Sequence, residues 1–386
     1  MSGEVVNEVR RNVGLVTLNR PQALNALSLA MIRGITSTLL AWRDEPTITT
    51  VVVRGATAEG KGVAFCAGGD ISFFHQAALA GDPRLEDFFT EEYTLDHLVH
   101  RYPKPVIALL DGVVMGGGMG IGQGASLRVV TERTKMAMPE TNIGLFPDVG
   151  GGYFLSRCPG RVGEYFALTG HVIGAGDAVA LGLADCFMPA DALPALIEAL
   201  SDQPMEAAAI AEATVTARTQ AAPPPALTAH REAIDTHFAH ADLAAIVRSL
   251  QADTSAWAAQ TLQTLAKRSP LMMAVTLEQV RRGRHLSLPD DLRMERDLIR
   301  NCLHLRPASL SETVEGIRAL AIDKDHAPRW NPARIDDVCP ADVAAFFDSP
   351  WPAHAHPLRM LGPVHTECVP AFGVNRPWAE PNGPTR

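Results

Sequence analysis

Two glycine-centred turns, Phe65-Cys66-Ala67-Gly68-Gly69-Asp70 and Met115-Gly116-Gly117-Gly118, stand about fifty residues apart, each directly after an apolar, strand-like run. Glycine lets main chain approach main chain or a ligand without a side chain in between. Two such turns can therefore offer two N–H groups to one oxygen. A carbonyl that becomes an oxyanion needs fixed donors where the charge develops, and backbone N–H groups at sharp turns suit that task. The second turn opens a glycine-rich stretch predicted to start a helix, whose N-terminal partial positive charge adds to the effect. Within the next thirty residues come Glu140 and Asp148. A pair of electrophile-polarising donors followed by two carboxylates outlines a carbonyl-activating enzyme.

The turns sit in a chain that alternates strand and helix signals. Val13 to Leu18 reads as a strand, and Asn19-Arg20-Pro21 as the turn that ends it. Met31, Ile32, Ile35, Leu39 and Leu40 fall at helical spacing behind Ser28, a cap residue. Thr49 to Gly55, Pro105 to Leu110 and Leu127 to Thr131 read as buried strands. This alternation predicts an α/β layered core over residues 1–190. From 191 to 348 strand-like runs disappear and alanine-rich, charge-dotted helical segments take over, with Ala221-Ala222-Pro223-Pro224-Pro225 as a semi-rigid linker. This region is expected to complete the site. Residues 349–386 are rich in proline and histidine and are expected to be extended or poorly ordered unless they dock on a neighbour.

Composition removes several function classes. A net charge of −9 over 386 residues argues against a general nucleic-acid surface. The basic cluster Arg281-Arg282-Gly283-Arg284 reads as a solvated helix end, or as contact with an anionic ligand. Val106 to Leu127 is apolar but holds seven glycines, Asp111 and Gln123, so a buried strand and helix explain it better than a membrane span. The N-terminal residues contain no apolar run of the signal-peptide type. Six scattered cysteines without a C-x-x-C suggest reduced thiols and a cytoplasmic location. The thirteen histidines form no ligand cluster, so neither a metal nor another cofactor is expected.

Three readings of the central glycine tract compete. Gly120-x-Gly122-x-x-Ala125 with Glu140 twenty residues on satisfies a permissive dinucleotide fingerprint. The turn, however, is already made by Gly116 to Gly118, which places Gly120 and Gly122 inside the following helix. Tight helix packing explains Gly120, Gly122 and Gly124 but leaves Gly68 and Gly69 unconnected. The oxyanion site connects both turns.

Taken together, Asn19-Arg20-Pro21-x-Ala23-Leu24-Asn25-Ala26-Leu27, Phe65 to Ile71, Gly116-Gly117-Gly118 and Pro139-Glu140 resemble, in this order and spacing, the enoyl-CoA hydratase/isomerase (crotonase) superfamily. The resemblance implies an α/β spiral of β-β-α units followed by a mainly helical C-terminal region, and an oxyanion hole for an acyl-CoA thioester. On it, Gly69 and Gly117 are the N–H donors, while Ala23, Asn25, Ala26, Ala67, Gly68 and Asp70 bind the substrate around its CoA portion. Hydratases of the family carry two catalytic glutamates, and the first falls here on Gly120; Glu140 matches the second. Hydration needs both groups to hold water and manage its proton.

The stretches Met136 to Gly152 and Arg318 to Trp330, with Glu91-Glu92-Tyr93, resemble the 3-hydroxyisobutyryl-CoA hydrolase subfamily, and the likeness runs from about residue 10 to 347. It implies hydrolysis of a short, branched 3-hydroxyacyl-CoA to the hydroxy acid and CoA, within valine breakdown; 3-hydroxypropionyl-CoA is a further possible substrate. Glu140 would attack the carbonyl or activate a water, with Asp148 and Glu92 positioning the acyl hydroxyl or the water. Each has a plainer alternative: a turn for Glu140, a helix cap for Asp148, a charged helix face for Glu92. Cys66 reads as packing. CoA enters as part of the substrate rather than as a cofactor. An acyl-CoA is the one expected partner, with no nucleic acid and no membrane, and a homo-oligomer is possible. The alternatives are a hydratase or isomerase of the same superfamily and a non-catalytic acyl-CoA-binding protein.

Overall fold

The structure, a computed structural model, describes residues 3–202 and 208–362. Among the described residues nine strands form two sheets. The larger has the order β1-β2-β3-β5-β7-β9 and the smaller the order β4-β6-β8. The strands are β1 Val5–Arg10, β2 Val13–Leu18, β3 Thr50–Gly55, β4 Ala64–Cys66, β5 Val106–Leu110, β6 Val113–Met115, β7 Leu127–Val130, β8 Lys135–Ala137 and β9 Cys186–Phe187. Among these strands β1 and β2 pair antiparallel and the other strand pairs are parallel.

After the first three strands, all in the large sheet, the chain alternates between the two sheets from β3 to β9. β3 is followed by β4, β5 by β6 and β7 by β8, and each small-sheet strand hands over to helices or turns that return to the large sheet. This is the β-β-α spiral expected from the resemblance. The apolar runs of the large sheet are continuous because both of its faces are covered. Val51 and Val53 point into the main core with Val16, Val106 and Ala108, while Val52, Leu15 and Ile107 point into a second core on the opposite face.

The helices among the described residues are α1 Leu29–Arg43, α2 Ile71–Ala80, α3 Arg84–His100, α4 Gly117–Gly124, α5 Gly151–Ser156, α6 Val162–Thr169, α7 Ala175–Ala180, α8 Leu193–Ser201, α9 Ala208–Thr216, α10 Arg231–His237, α11 Leu243–Ala252, α12 Ala256–Leu265, α13 Pro270–Gly283, α14 Leu288–His304, α15 Glu312–Ile317 and α16 Pro340–Ala345. Ser28 caps α1 through Met31 N–H at 3.1 Å. The change of texture at 190 is a change of secondary structure, not a break in packing: Leu196, Ile197 and Leu200 of α8 fill the second core against Val13, Leu15 and Val52. On the other side α13 and α14 pack against α5, and α14 also lies along α3.

Strand β1 carried no signal in the sequence, since its four middle residues are all exposed along an edge. Two expectations are corrected here. The proline linker is packed rather than a spacer: Gly176 lies against the carbonyl of Pro223, and Leu227 N–H donates to Asp177 at 2.8 Å. The poorly ordered tail does not hold for residues 349–362, which dock on α14. Leu358 and Leu361 are buried there, Arg293 donates to both of their carbonyls, and the Arg296 guanidinium lies 4.8 Å from the Trp351 ring centroid. Two leucines three residues apart supply an apolar anchor that composition alone hid. The rest of that expectation, residues 363–386, lies outside the described residues.

Candidate active site

The first glycine turn is held open by the segment before α1. Leu27 N–H donates to Gly68 O at 2.8 Å and Asp70 N–H donates to Leu27 O at 3.0 Å, which makes Leu27 and Gly69 a parallel bridge. In such a bridge Leu27 uses the groups on either side of Gly69, so the N–H of Gly69 itself points the other way. The second turn lies on that side. With φ +105 at Gly68, a Cβ there would stand 3.5 Å from Met115 O and 3.9 Å from Gly117 N. Gly116, at φ 48, caps α4, whose first bonds run from Met119 and Gly120 N–H to Gly116 O. The N–H of Gly117 therefore has no acceptor within the helix, and the helix dipole reinforces it.

Glu140, Asp148 and Glu92 converge on these turns from three separate elements. Together with Gly68, Gly69 and Gly117 they line a cavity of about 240 Å³, which Ala67 also borders. Pro139 starts a 3-10 turn over Glu140–Ile143, and the Glu140 side chain points inward, its Oε1 3.0 Å from where a Cβ on Gly116 would be. Its Oε2 is buried without a hydrogen-bond partner. Asp148 accepts a hydrogen bond from Tyr93 O–H at 2.8 Å. Glu92 lies on α3 against Gly117, whereas its neighbour Glu91 turns outward to Arg33. Arg318–Ile322 continues α15 as a π turn and brings Leu320 to the cavity wall, so the helical region does contribute to the pocket.

Burial sets the protonation of this group. It pushes the Asp148 carboxyl up to about 6, while the hydrogen bond from Tyr93 holds it down. Glu140 is raised well above the usual carboxylate range by burial and then by the charge of Asp148. Glu92 is raised by burial, then by Asp148, Asp96 and Glu140. Burial also pushes the Cys66 thiol up to about 12, which leaves it an inert packing group.

Asp148 is not a helix cap. The Gly150 and Gly152 N–H groups at the start of α5 donate to Glu295 at 2.7 and 2.9 Å, and Tyr153 N–H donates to Asp291 at 2.8 Å. Two acids from α14 thus tie down the loop that carries Asp148 and leave its side chain to the cavity.

Four of the proposed substrate residues lie outside this cavity. The Asn25 side chain donates to Ala56 O at 2.9 Å and Ala64 O at 2.8 Å and accepts from Arg20 N–H at 3.0 Å, so it staples the loop before α1. Asp70 caps α2 through Phe73 N–H at 3.3 Å and pairs with Arg20 at 3.0 Å. Ala26 O accepts from Arg20 at 2.7 Å, and Ala23 is exposed on a 3-10 turn. The dinucleotide reading does not survive, because Gly120 and Gly122 lie within α4.

Tyr93, Asp96, Asp291 and Glu295 were missed from the sequence. Tyr93 stood in the Glu91-Glu92-Tyr93 motif without a role of its own, and Asp96 beside Glu92 and Asp291 beside Glu295 left only an i, i+4 spacing. A larger cleft of about 520 Å³ between α11, α13 and residues 335–344 lies away from the turns. The two arginines of the basic cluster that line it are committed, Arg281 to the carbonyls of His240 and Ala241 and Arg282 to Glu278 at 2.7 Å. The basic cluster is therefore structural.

Comparison with known proteins adds to this geometry. A 3-hydroxyisobutyryl-CoA hydrolase from Xenopus tropicalis, named as mitochondrial, is 40% identical over 341 residues, covering 87% of this chain and 86% of its own. A solved structure titled a carnitinyl-CoA dehydratase from Mycobacterium thermoresistibile superposes with a TM-score of 0.82 at 38% identity, covering 90% of this chain and 97% of its own. Another, titled an enoyl-CoA hydratase from Rhodobacter sphaeroides, gives 0.81 at 37%, with 90% and 98% covered. The cytoplasmic expectation does not stand beside the mitochondrial relative. Scattered thiols report a reducing environment, not which compartment supplies it. The enoyl-CoA hydratase/isomerase family model matches residues 13–347, and the chain belongs to that family.

Proposed function

We propose that this chain hydrolyses the thioester of a short, branched 3-hydroxyacyl-CoA, with 3-hydroxyisobutyryl-CoA as substrate and valine breakdown as the setting. The curated relative's name supports the substrate, and one observation within the chain carries the choice between hydrolysis and hydration. A Cβ on Gly120 would meet Val149 Cβ at 2.6 Å and Asp96 Oδ1 at 2.9 Å. The position from which a family hydratase extends its first glutamate is therefore filled, and α4 cannot supply a second carboxylate beside Glu140.

The thioester oxygen accepts hydrogen bonds from Gly69 and Gly117 N–H, each donor supplying about 3 kcal/mol of transition-state stabilisation. Glu140 acts on the carbonyl carbon. As nucleophile it forms an acyl-glutamyl anhydride and expels CoA thiolate; as base it deprotonates an attacking water. Glu92 and Asp148 face the acyl group and hold its 3-hydroxyl. Acyl groups without that hydroxyl leave a buried polar group unpaired and are selected against.

The test is thiol release from 3-hydroxyisobutyryl-CoA, run beside hydration of crotonyl-CoA, with wild type and Glu140→Gln. Thiol release that disappears in the variant, with negligible hydration, supports the hydrolase. Hydration without thiol release overturns it, and so does affinity for the thioester without turnover. If water opens the anhydride at its glutamyl carbon, a single turnover in ¹⁸O-water leaves label in the Glu140 side chain, which the general-base route cannot do.

A further inference from the structure

We infer that Asp96 is a positioning residue that keeps a proton on the Glu92 carboxyl, so that Glu92 meets the substrate as a hydrogen-bond donor. The inference rests on the hydrolase reading only for what Glu92 then does.

The observation is a slot between two helices. Glu92 and Asp96 lie one turn apart on α3, and the glycine face of α4 receives them. Gly117 lies against Glu92 Oε1. Gly120 lies against Asp96 Oδ1, and Gly124 packs on Asp96 O and His100 N, both 3.2 Å from its would-be Cβ. Glycines at i, i+3 and i+7 of one helix thus accommodate acids at i and i+4 of the other. Glu92 is 2% exposed and Asp96 3%; Glu92 Oε1 and both oxygens of Asp96 lack a hydrogen-bond partner.

The groups that face the pair are themselves acidic or neutral. Across the cavity stand Asp148 and Glu140; Tyr93 on the same helix is bonded to Asp148, Glu295 lies behind Asp148 from α14, and Cys66 lies beneath. Helix α4 offers no titratable side chain from Gly117 to Gly124. Among the described residues no donor bonds Glu92 Oε1 or either oxygen of Asp96, and no cation is among the charges acting on the two carboxyls.

Two adjacent carboxylates in a dry slot cannot both ionise, and the last proton of such a pair is held more tightly than by either acid alone. Only Glu92 reaches the cavity, so the proton becomes useful there. A neutral carboxyl is a donor as well as an acceptor, and it offers its O–H to the 3-hydroxyl oxygen of the substrate. Asp96 touches no substrate atom and acts through Glu92.

The experiment uses Asp96→Asn, which has the shape of the neutral acid. With melting temperature not lowered, the alkaline limb of kcat/KM for thiol release moves to lower pH by one unit or more. The loss falls on KM, which rises about tenfold at pH 8, while kcat is kept and both parameters match wild type at pH 6. Superimposable pH profiles overturn the inference, and so does a fall in melting temperature with the limb unmoved.

A second arm needs no turnover. At pH 8 the resting wild type shows a protonated-carboxyl infrared band that Asp96→Asn and Glu92→Gln each reduce by one group; persistence in either variant overturns the inference. If Asp96→Asn does not fold, Glu92→Gln decides by the same readout. Absence of thiol release by the wild type sinks the hydrolase reading alone, and the infrared result still decides Asp96.

Discussion

At the scale of single residues, the site is a set of carboxyls whose different surroundings give them different tasks. Asp148 is the one with a donor of its own, Tyr93 O–H at 2.8 Å. That bond favours its charged form, and the resulting charge raises Glu140. Tyr93→Phe removes the donor, so Asp148 ionises at higher pH than about 6 and exerts less charge on Glu140 below that pH. Asp148→Asn removes the charge outright. On the proposed mechanism Glu140 must be ionised to act, so its titration is expected to form the acid limb of kcat/KM, above the usual carboxylate range in wild type. In Asp148→Asn this limb is expected to move to lower pH, even though the plateau falls with the loss of the proposed substrate contact. A pH–rate profile of the variant checks this, and an acid limb that stays or rises removes the coupling between the two acids.

At the scale of elements, the packing of α3 on α4 does the most to shape the site. The glycines of α4 were visible in the sequence, but as three competing explanations. Two of them apply at once: Gly116 and Gly117 make the turn proposed as the oxyanion site, while Gly120 and Gly124 let α3 come close. Gly120→Ala places a methyl group against Val149 and Asp96, and is expected to destabilise the protein by about 2 kcal/mol, with a larger loss of kcat/KM than that destabilisation explains. Denaturant melts beside kinetics measure both; an alanine without effect on either shows the slot to be looser than described. The docked segment 349–362 is an element of the same kind. Leu358 and Leu361 are buried on α14, the helix whose Asp291 and Glu295 fix the Asp148 loop. Truncation after Asp348 is expected to cost about 3 kcal/mol of stability, given roughly 1.5–3 kcal/mol per buried leucine less the entropy returned to the freed chain. A chemical melt unchanged by the truncation would show the docking to be idle.

At the scale of the whole molecule, buried acids make the site an energetic liability. Asp148 binds its proton up to about pH 6 in the folded chain, against an ordinary value of 3.8. A carboxyl raised by folding gives its full stabilisation below the unfolded value, and that contribution is lost as pH rises through the folded one. From pH 4 to 7 the wild type is therefore expected to lose stability relative to Asp148→Asn, by up to about 3 kcal/mol. Thermal melts of both proteins across that range test it, and a constant difference refutes it. His97, which burial pushes down to about 4, runs in the opposite sense in both proteins and cancels in the comparison.

Residue types and spacing determined much of this protein: the alternation that makes the β-β-α spiral, the cap at Ser28, the two glycine turns, and the candidates Glu140, Asp148 and Glu92. These are local properties, set by backbone freedom and by hydrophobic period. The resemblance picked out Glu92, but residue type and spacing alone did not sort it from Glu91, because a helix face has meaning only once its neighbour is placed. It did not show that Asn25 and Asp70 are spent on the loop, nor that Asp291 and Glu295, more than a hundred residues away, hold the turn carrying Asp148. Nor did it reveal Asp96, whose importance lies in having no partner. Burial, and with it protonation, depends on which surfaces meet, and only the tertiary structure decided that.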